Sequence, residues 1–372
     1  MTISGIQQPR RTRIVAAVVV VACGAAVALA LTAERPLTAS EAALAASAEA
    51  LAHAPFADST LFVPSGPEFW YQPLAIHPTA LLLRLGISRE FALAAPAAAA
   101  GVLTIGLTGL LAARTTGQPF AGAWAAVLML AVPAFIDQLR TPASGLSTLP
   151  PVLVWLLCVL RYIDRQTRWW PFIGGAALGI SIYTQPQGVL SVPVYFVVGA
   201  FVLSLVLHGW RAITAAAAGV TISLVPAAIW LAGSPAAYRD TFGRWAIHQA
   251  HLIRPWDGIA AFTVWHVLSH RAAEYWEYLN PTFLFGREVF GPAMAPLMLL
   301  GLWWFCTAAR PAERWITLAS LVAAPVAGVL LDAPRTASLA LMYLPVGMVL
   351  VAAGVEMLRT YRRGRQVVTA PG

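Results

Sequence analysis

Apolar runs of nearly bilayer length recur along the whole chain, and nothing else in the sequence limits its fold as strongly. A segment of about 20 apolar residues crosses a membrane as a helix, because lipid offers its backbone no hydrogen-bond partners. Ten such spans are expected: Ile14–Leu31, Phe91–Ala112, Pro119–Ile136, Ser147–Arg161, Trp170–Tyr183, Val189–Leu207, Ala212–Leu231, Pro292–Ala308, Trp315–Leu331 and Leu339–Leu358. Charged residues make up only 11% of the chain, against about 25% in soluble domains. The fold class implied is an all-α polytopic membrane protein, a single transmembrane domain over residues 1–372 with no room for a separate soluble enzyme.

Alternating the spans from a cytoplasmic amino terminus sorts the charges. Fourteen arginines then fall inside with three acids, Asp164, Glu313 and Glu356, while ten arginines and thirteen acids stay outside. An excess of basic residues in inner loops sets orientation, so both termini are expected in the cytoplasm of a multi-pass cell-membrane protein, with 359–372 as a basic tail. The net charge of +8 has this membrane explanation. Nucleic-acid binding would instead need a basic stripe interleaved with aromatics on a soluble face. All 24 basic residues are Arg, which excludes Schiff-base and P-loop lysine chemistry. The first run also carries marks of a secretory signal, a basic start and the small-residue site Ala28-Leu29-Ala30, although its apolar part is longer than a signal core.

Inner loops are only a few residues long, so polar chemistry concentrates outside. The first outside segment, residues 32–90, contains "LTASEAALAASAEALAHA" and "PLAIHPTALLLRLG", both apolar at helical spacing and read as amphipathic helices on the bilayer surface. The second, residues 233–291, ends in "EYWEYLNPTFLFGREVFG". Short turns at Asp137–Arg140, Gln185–Gln187 and Asp332–Thr336 complete that face.

Metal and cofactor signatures are weak or missing. Cys23, Cys158 and Cys306 lie far apart within apolar spans and read as small buried hydrophobes. His266, His270 and Glu274 recur every four residues and so share a helical face, a metal-like spacing without the HExxH pattern. His248 and His251, near Arg244 and Arg254, read as an interfacial polar patch. No G-x-S-x-G, P-loop, Rossmann glycine set or EF-hand is present, nor a repeat that would suggest a transporter. No metal or cofactor is expected.

Several passages, in one order from Ile14 to Leu358, resemble a known group. "TASEAALAASAEAL", "GPEFWYQPLAIHPTALLLRLGIS", "FALAAPAAAAGVLTIGLTGLLAAR", "FIDQLRTPASG", "GGAALGISIYTQPQGVLSVPVYF", "NPTFLFGREVFGPAMAPLMLLGLWW" and "APVAGVLLDAPRTASLALMYLP" are similar to successive stretches of the bacterial protein O-mannosyltransferase and lipid A aminoarabinose transferase group. These are GT-C glycosyltransferases. The resemblance implies a donor sugar on a polyprenyl phosphate, an acceptor reached on the outer side, and inversion at the anomeric carbon. Lipid bilayer and lipid-linked sugar are the implied partners; nucleic acid is not.

Such a transfer needs a base for the acceptor proton, cations for the departing phosphate, and an apolar pocket for the lipid tail. Where the group has Asp-Glu at the start of the first outside helix, this chain has Ser40-Glu41, so Glu41 takes the base position by resemblance. Thr38-Ala39-Ser40-Glu41 also fits a capping box, in which Glu41 only returns a hydrogen bond to Thr38. Glu68 is the reserve acid. Arg140 matches an arginine in the turn after the third span, and a guanidinium fork suits phosphate oxygens; an interfacial arginine reaching for headgroups is the plainer reading. Arg335 stands where the group commonly has His, with Asp332 placed to orient it, and Ser338 replaces the group's next Arg. Tyr183 falls in the matched tyrosine passage, and Arg287 can add charge near the phosphate although the group's Gly-Asp and Arg-His pairs are missing there. Tyr275, Trp276, Tyr278 and Phe283 are expected at headgroup level, as an aromatic belt. The departures leave a second reading open, a catalytically degenerate scaffold or partner subunit. A transporter or lipid flippase is a third, disfavoured because charges within the spans are nearly absent.

Overall fold

The computed structural model describes residues 4–31, 37–54, 61–64, 70–142, 145–207, 209–233, 265–286, 288–330 and 340–368. The chain is helical throughout these stretches, apart from a two-residue antiparallel pair, Val63–Pro64 with Trp70–Tyr71, that the sequence reading did not anticipate. The helices are α1 (Ser4–Leu31), α2 (Ala39–His53), α3 (Pro73–Arg84), α4 (Arg89–Thr116), α5 (Pro119–Met129), α6 (Pro133–Leu139), α7 (Leu149–Arg165), α8 (Trp169–Ile180), α9 (Pro186–Leu207), α10 (Trp210–Gly233), α11 (Trp265–Tyr278), α12 (Pro281–Phe285), α13 (Met294–Thr307), α14 (Pro311–Ala323), α15 (Val326–Leu330) and α16 (Tyr343–Val368). Tight 3-10 turns at Gly145–Thr148 and Ser181–Tyr183 join α6 to α7 and α8 to α9.

Each expected apolar run coincides with a helix, but not every run is one straight crossing. Among the described residues, six helical stretches are long and apolar enough to span by themselves: α4, Gly145–Arg165, Gln187–Val206, α10, Pro311–Leu330 and Tyr343–Tyr361. Val15–Ala30 and Met294–Thr307 are shorter apolar helices. The expected third span is broken: α5 and α6 meet at 66°. Val132, the residue before Pro133, is extended (φ −87, ψ 118), as the proline ring forces on its predecessor.

Small residues let the helices approach closely, the usual basis of packing where lipid competes for apolar contact. A Cβ on Gly175 would strike the Ala216 carbonyl of α10, and one on Gly219 would strike the Phe172 carbonyl of α8. The pair therefore touches backbone to backbone. In the core the indole of Trp155 donates to the Tyr195 carbonyl at 2.7 Å, fixing α7 to α9. Cys158 is buried as expected and Cys23 half-buried, but Cys306 is exposed on α13.

The bundle has two unlike ends. At one, the Arg114 guanidinium grips both Asp164 oxygens (2.6 and 3.1 Å) and reaches Glu313 at 2.8 Å, tying α4, α7 and α14 together. Arg359 pairs with Glu356 at 2.9 Å and lies 4.5 Å over the Phe120 ring. These are residues that the charge distribution assigned to one side. The opposite, loop-rich end carries α2, α3, the two 3-10 turns and α11.

Candidate functional site

The α2 helix starts where the sequence placed it. The Thr38 N–H donates to Glu41 Oε2 at 2.8 Å and the Glu41 N–H to Thr38 Oγ1 at 3.4 Å, a complete capping box. Two orphan amides of the first turn are thereby satisfied, worth about 1 kcal/mol. Glu41 is only 6% exposed. Leu44, Ala48 and Ala52 of α2 pack on Ile76 and Ala80 of α3, a small core of its own. The α3 helix in turn rests on α4 and on the Ser181–Tyr183 turn. Glu41 thus sits on a helix pair docked against the loop-rich end.

Arg140 caps α6 and is exposed. The turn that follows is held from both sides: Gln138 Oε1 accepts from the Gly145 N–H at 3.1 Å, and the Thr148 and Thr184 hydroxyls meet at 3.0 Å. A Cβ on Gly145 would lie 2.7 Å from Leu341 and 2.9 Å from the Gln187 amide nitrogen. The Arg140 turn, the start of α9 and the residues just before α16 are therefore neighbours.

Tyr183 is buried, and its hydroxyl is built into α10. It donates to the Ser223 carbonyl at 2.6 Å and accepts from the Ala227 N–H at 3.1 Å, inserted between two groups that would pair directly in a regular helix. Pro226 interrupts the ladder at that point. Phe62, from the first outside segment, packs against Trp230 and Tyr183 at 4.5 and 6.2 Å between ring centroids.

The α11 helix holds a cation that the sequence reading passed over. Arg271 is 6% exposed; its Nη1 donates to Glu274 at 2.9 Å and to the Val329 carbonyl at 2.7 Å. One turn on, the Tyr275 hydroxyl donates to the Val322 carbonyl at 2.9 Å, and burial pushes its phenol above the usual range. Both acceptors lie on the α14–α15 helix, which breaks at Pro325. The sequence did carry a signal: Arg271 and Tyr275 are four apart on one helical face, facing a proline-broken span whose carbonyls need donors. His270 contacts Glu274 at 3.3 Å, the side chain of His266 lies outside the described residues, and among the described residues no three His, Cys, Asp or Glu gather as a metal site needs. The expected aromatic belt is corrected in part. Trp276 is exposed, but Tyr278 and Phe283 are buried in the core, edge to face at 5.6 Å.

Between α9 and α14–α15 runs a cavity of about 690 Å³ lined wholly by apolar and aromatic side chains, among them Pro193, Val197, Phe201, Trp315, Val322 and Leu330. Leu330, which ends α15, lines this groove; Val329, whose carbonyl accepts from Arg271, precedes it. Glu68, Arg287, Asp332 and Arg335 lie outside the described residues, as do His248 and His251.

No protein-family profile matches the chain, and no curated protein matches it. Solved structures do. ArnT from Cupriavidus metallidurans in the apo state is similar with a TM-score of 0.66 at 17% identity, over 95% of this chain and 61% of that one. The same enzyme bound to undecaprenyl phosphate gives 0.63 at 17% identity, over 95% and 62%. The Archaeoglobus fulgidus oligosaccharyltransferase, tethered to an acceptor peptide, gives 0.51 at 16% identity, over 96% and 51%. The chain shares its fold with these structures. It spans about three fifths of the ArnT length. The α2–α3 pair reaches the bundle through α4 and the Ser181–Tyr183 turn, whereas α11 packs on α15 and α12.

Proposed function

We propose that the protein is a membrane glycosyltransferase that moves a sugar from a polyprenyl-phosphate donor to an acceptor at the loop-rich end, with inversion. The supporting observation is the groove: an apolar slot of about 690 Å³ between the spanning helices α9 and α14–α15. Such a slot suits a lipid tail, and undecaprenyl phosphate is bound in one of the similar structures. The acceptor hydroxyl oxygen attacks the anomeric carbon from the face opposite the phosphate. The bond from that carbon to the phosphate oxygen breaks, and its electron pair leaves with the lipid phosphate. Glu41 takes the acceptor proton, with Glu68 in reserve. Arg271 and Arg140, with Arg335 oriented by Asp332, stabilise the charge on the departing phosphate, and Arg287 adds to that field. Tyr183 contributes its ring and the set of α10 rather than its hydroxyl. Both termini face the cytoplasm in this reading.

One observation favours a catalytically degenerate scaffold instead: the Glu41 carboxylate accepts from the Thr38 N–H, the work of a cap. Glu41→Gln separates the two readings, since Gln also completes a capping box but takes up no proton. Sugar transfer from a polyprenyl-phosphate donor is measured in membranes carrying either protein. Loss of about 100-fold or more in the variant, with unchanged thermal stability, supports Glu41 as base. Equal rates remove Glu41 from the mechanism, and lipid binding without turnover in either protein establishes the scaffold.

A further inference from the structure

The Arg114 end of the bundle carries more positive charge than its acids answer. Asp164 and Glu313 are both held by Arg114, and Glu356 by Arg359. Arg161 and Arg165 on the last turns of α7, Arg168 just before α8 and Arg211 at the start of α10 are exposed, and none has a carboxylate partner among the described residues. Two of these guanidiniums lie on indole rings instead. Arg161 stands 5.6 Å over Trp170 and Arg211 5.6 Å over Trp210, an attraction that holds the charge in place without cancelling it. The four cations form one patch. α7 and α8 make a tight hairpin: Gln166 takes the left-handed conformation (φ 53) and its N–H donates to the Tyr162 carbonyl at 2.7 Å. α8 and α10 run parallel, since Gly175 meets Ala216 and, four residues on in both, Gly179 meets Val220. Trp169 and Trp210 each stand six residues before the first of these contacts, and therefore at one level. Trp169 is 67% exposed and Trp210 64%; one turn inward on the same face of α8, Ile173 is 47% exposed. From the end of the bundle inward, the surface passes from arginine through indole to alkyl.

We propose that this patch binds an anionic phospholipid: its phosphate among Arg161, Arg165, Arg168 and Arg211, its glycerol region against Trp169 and Trp210, and its acyl chains along Ile173. Guanidinium forks match phosphate oxygens, and exposed indoles suit the layer between headgroup and tail. A free phosphate would use the cations and leave the indoles and Ile173 idle, so the order of surfaces favours a lipid. Diffuse attraction of anionic lipid to a basic surface depends on the number of charges rather than on their places. Here two of the charges are fixed by rings, and their places count. Arg359 offers the contrast, because it belongs to the same end but sits on α16, which packs on α13, α5 and α4.

The test is titration of the purified full-length protein, delipidated in detergent, with phosphatidylglycerol or phosphatidylcholine, the bound lipids being counted by native mass spectrometry. The readout does not involve sugar transfer, so its outcome is separate from that of the transferase reading. Wild type is expected to bind one phosphatidylglycerol about tenfold more tightly than phosphatidylcholine. Arg165→Gln with Arg168→Gln lowers that affinity about 25-fold, about fivefold for each arginine, and leaves phosphatidylcholine unaffected. Arg168→Gln alone serves if the double variant does not fold, with about a fivefold loss. Trp210→Leu keeps every charge but frees Arg211, and costs about threefold. Arg359→Gln removes one charge from the same end and changes nothing. A loss in Arg359→Gln as large as in Arg168→Gln shows a diffuse field and overturns the site, and equal binding of the two lipids does the same. Unchanged affinity in Trp210→Leu overturns it too, because the rings then hold no charge in place. Displacement of phosphatidylglycerol by millimolar inorganic phosphate shows a site for soluble anions and overturns the lipid.

Discussion

The two ends of the bundle hold buried carboxylates in opposite ways. Glu313, 3% exposed, meets Arg114, which is also pinned by Asp164; charge answers charge across three helices. Glu41, 6% exposed, is held through a backbone amide at the start of a helix that packs on the bundle from outside. Arg271 likewise splits its grip between a carboxylate and a backbone carbonyl. An ion-pair network across three helices fastens the first end. At the second, backbone groups share the hold: the Thr38 N–H on Glu41, and the Val329 carbonyl beside Glu274 on Arg271.

Paired substitutions put this contrast to the test. Glu41→Gln is expected to lower sugar transfer by about 100-fold to 10,000-fold while the unfolding temperature stays put, because the amide still completes the cap. Glu313→Gln should do the reverse. It leaves Arg114 facing a neutral group in a buried place, costing about 2–3 kcal/mol of stability, less than the full penalty of a buried pair because Asp164 remains. Transfer per folded molecule should not change. Activity assays and thermal unfolding in the same detergent check both, and a stability loss in Glu41→Gln equal to that in Glu313→Gln would erase the distinction between the ends.

Arg271→Ala comes next in size. It removes the buried cation of α11 and leaves Glu274 and the Val329 carbonyl to find other partners. Affinity for a polyprenyl monophosphate is expected to fall about 30-fold or more, as on truncating one member of a buried charge pair. Arg271→Lys should recover only part of it, since an ammonium does not reproduce the fork. Titration of the monophosphate against the three proteins measures this, and unchanged affinity would place the headgroup elsewhere.

Much of this architecture was legible in the chain. The periodic apolar runs became helices, Thr38 and Glu41 formed the capping box that their spacing suggested, and Arg114, Asp164 and Glu313, assigned to one side by charge counting, meet in space. The bend between α5 and α6 was hidden because hydrophobicity continues across it, and only Pro133 marks the break. Tyr278 and Phe283 were misplaced for a related reason. An aromatic ring suits a headgroup layer and a packed core equally well, and local sequence does not say which one it meets. The groove has no local signature at all. It arises where α9 and α14–α15 fail to fill the space between them, a property of two helices far apart in the chain. Arg271 left little local trace because its partner carbonyl, Val329, is 58 residues away, as Val322 is 47 residues from Tyr275.

The smallest expected effect belongs to Tyr275→Phe, and it bears on how the loop-rich end is shaped. Pro325 has no N–H to return to the turn before it, so the helix breaks between α14 and α15 and nearby carbonyls look outward for donors. The Tyr275 hydroxyl supplies one at Val322, a residue that also lines the groove. Removing that hydroxyl deletes one neutral hydrogen bond, worth about 1 kcal/mol. Thermal unfolding should register that loss. Lipid affinity should fall by less than in Arg271→Ala, because the cation stays and only the angle of its support relaxes. If Tyr275→Phe instead weakens lipid binding as much as Arg271→Ala, the groove depends on the bend at Pro325 more than on charge, and the contrast between the two ends becomes one of backbone geometry.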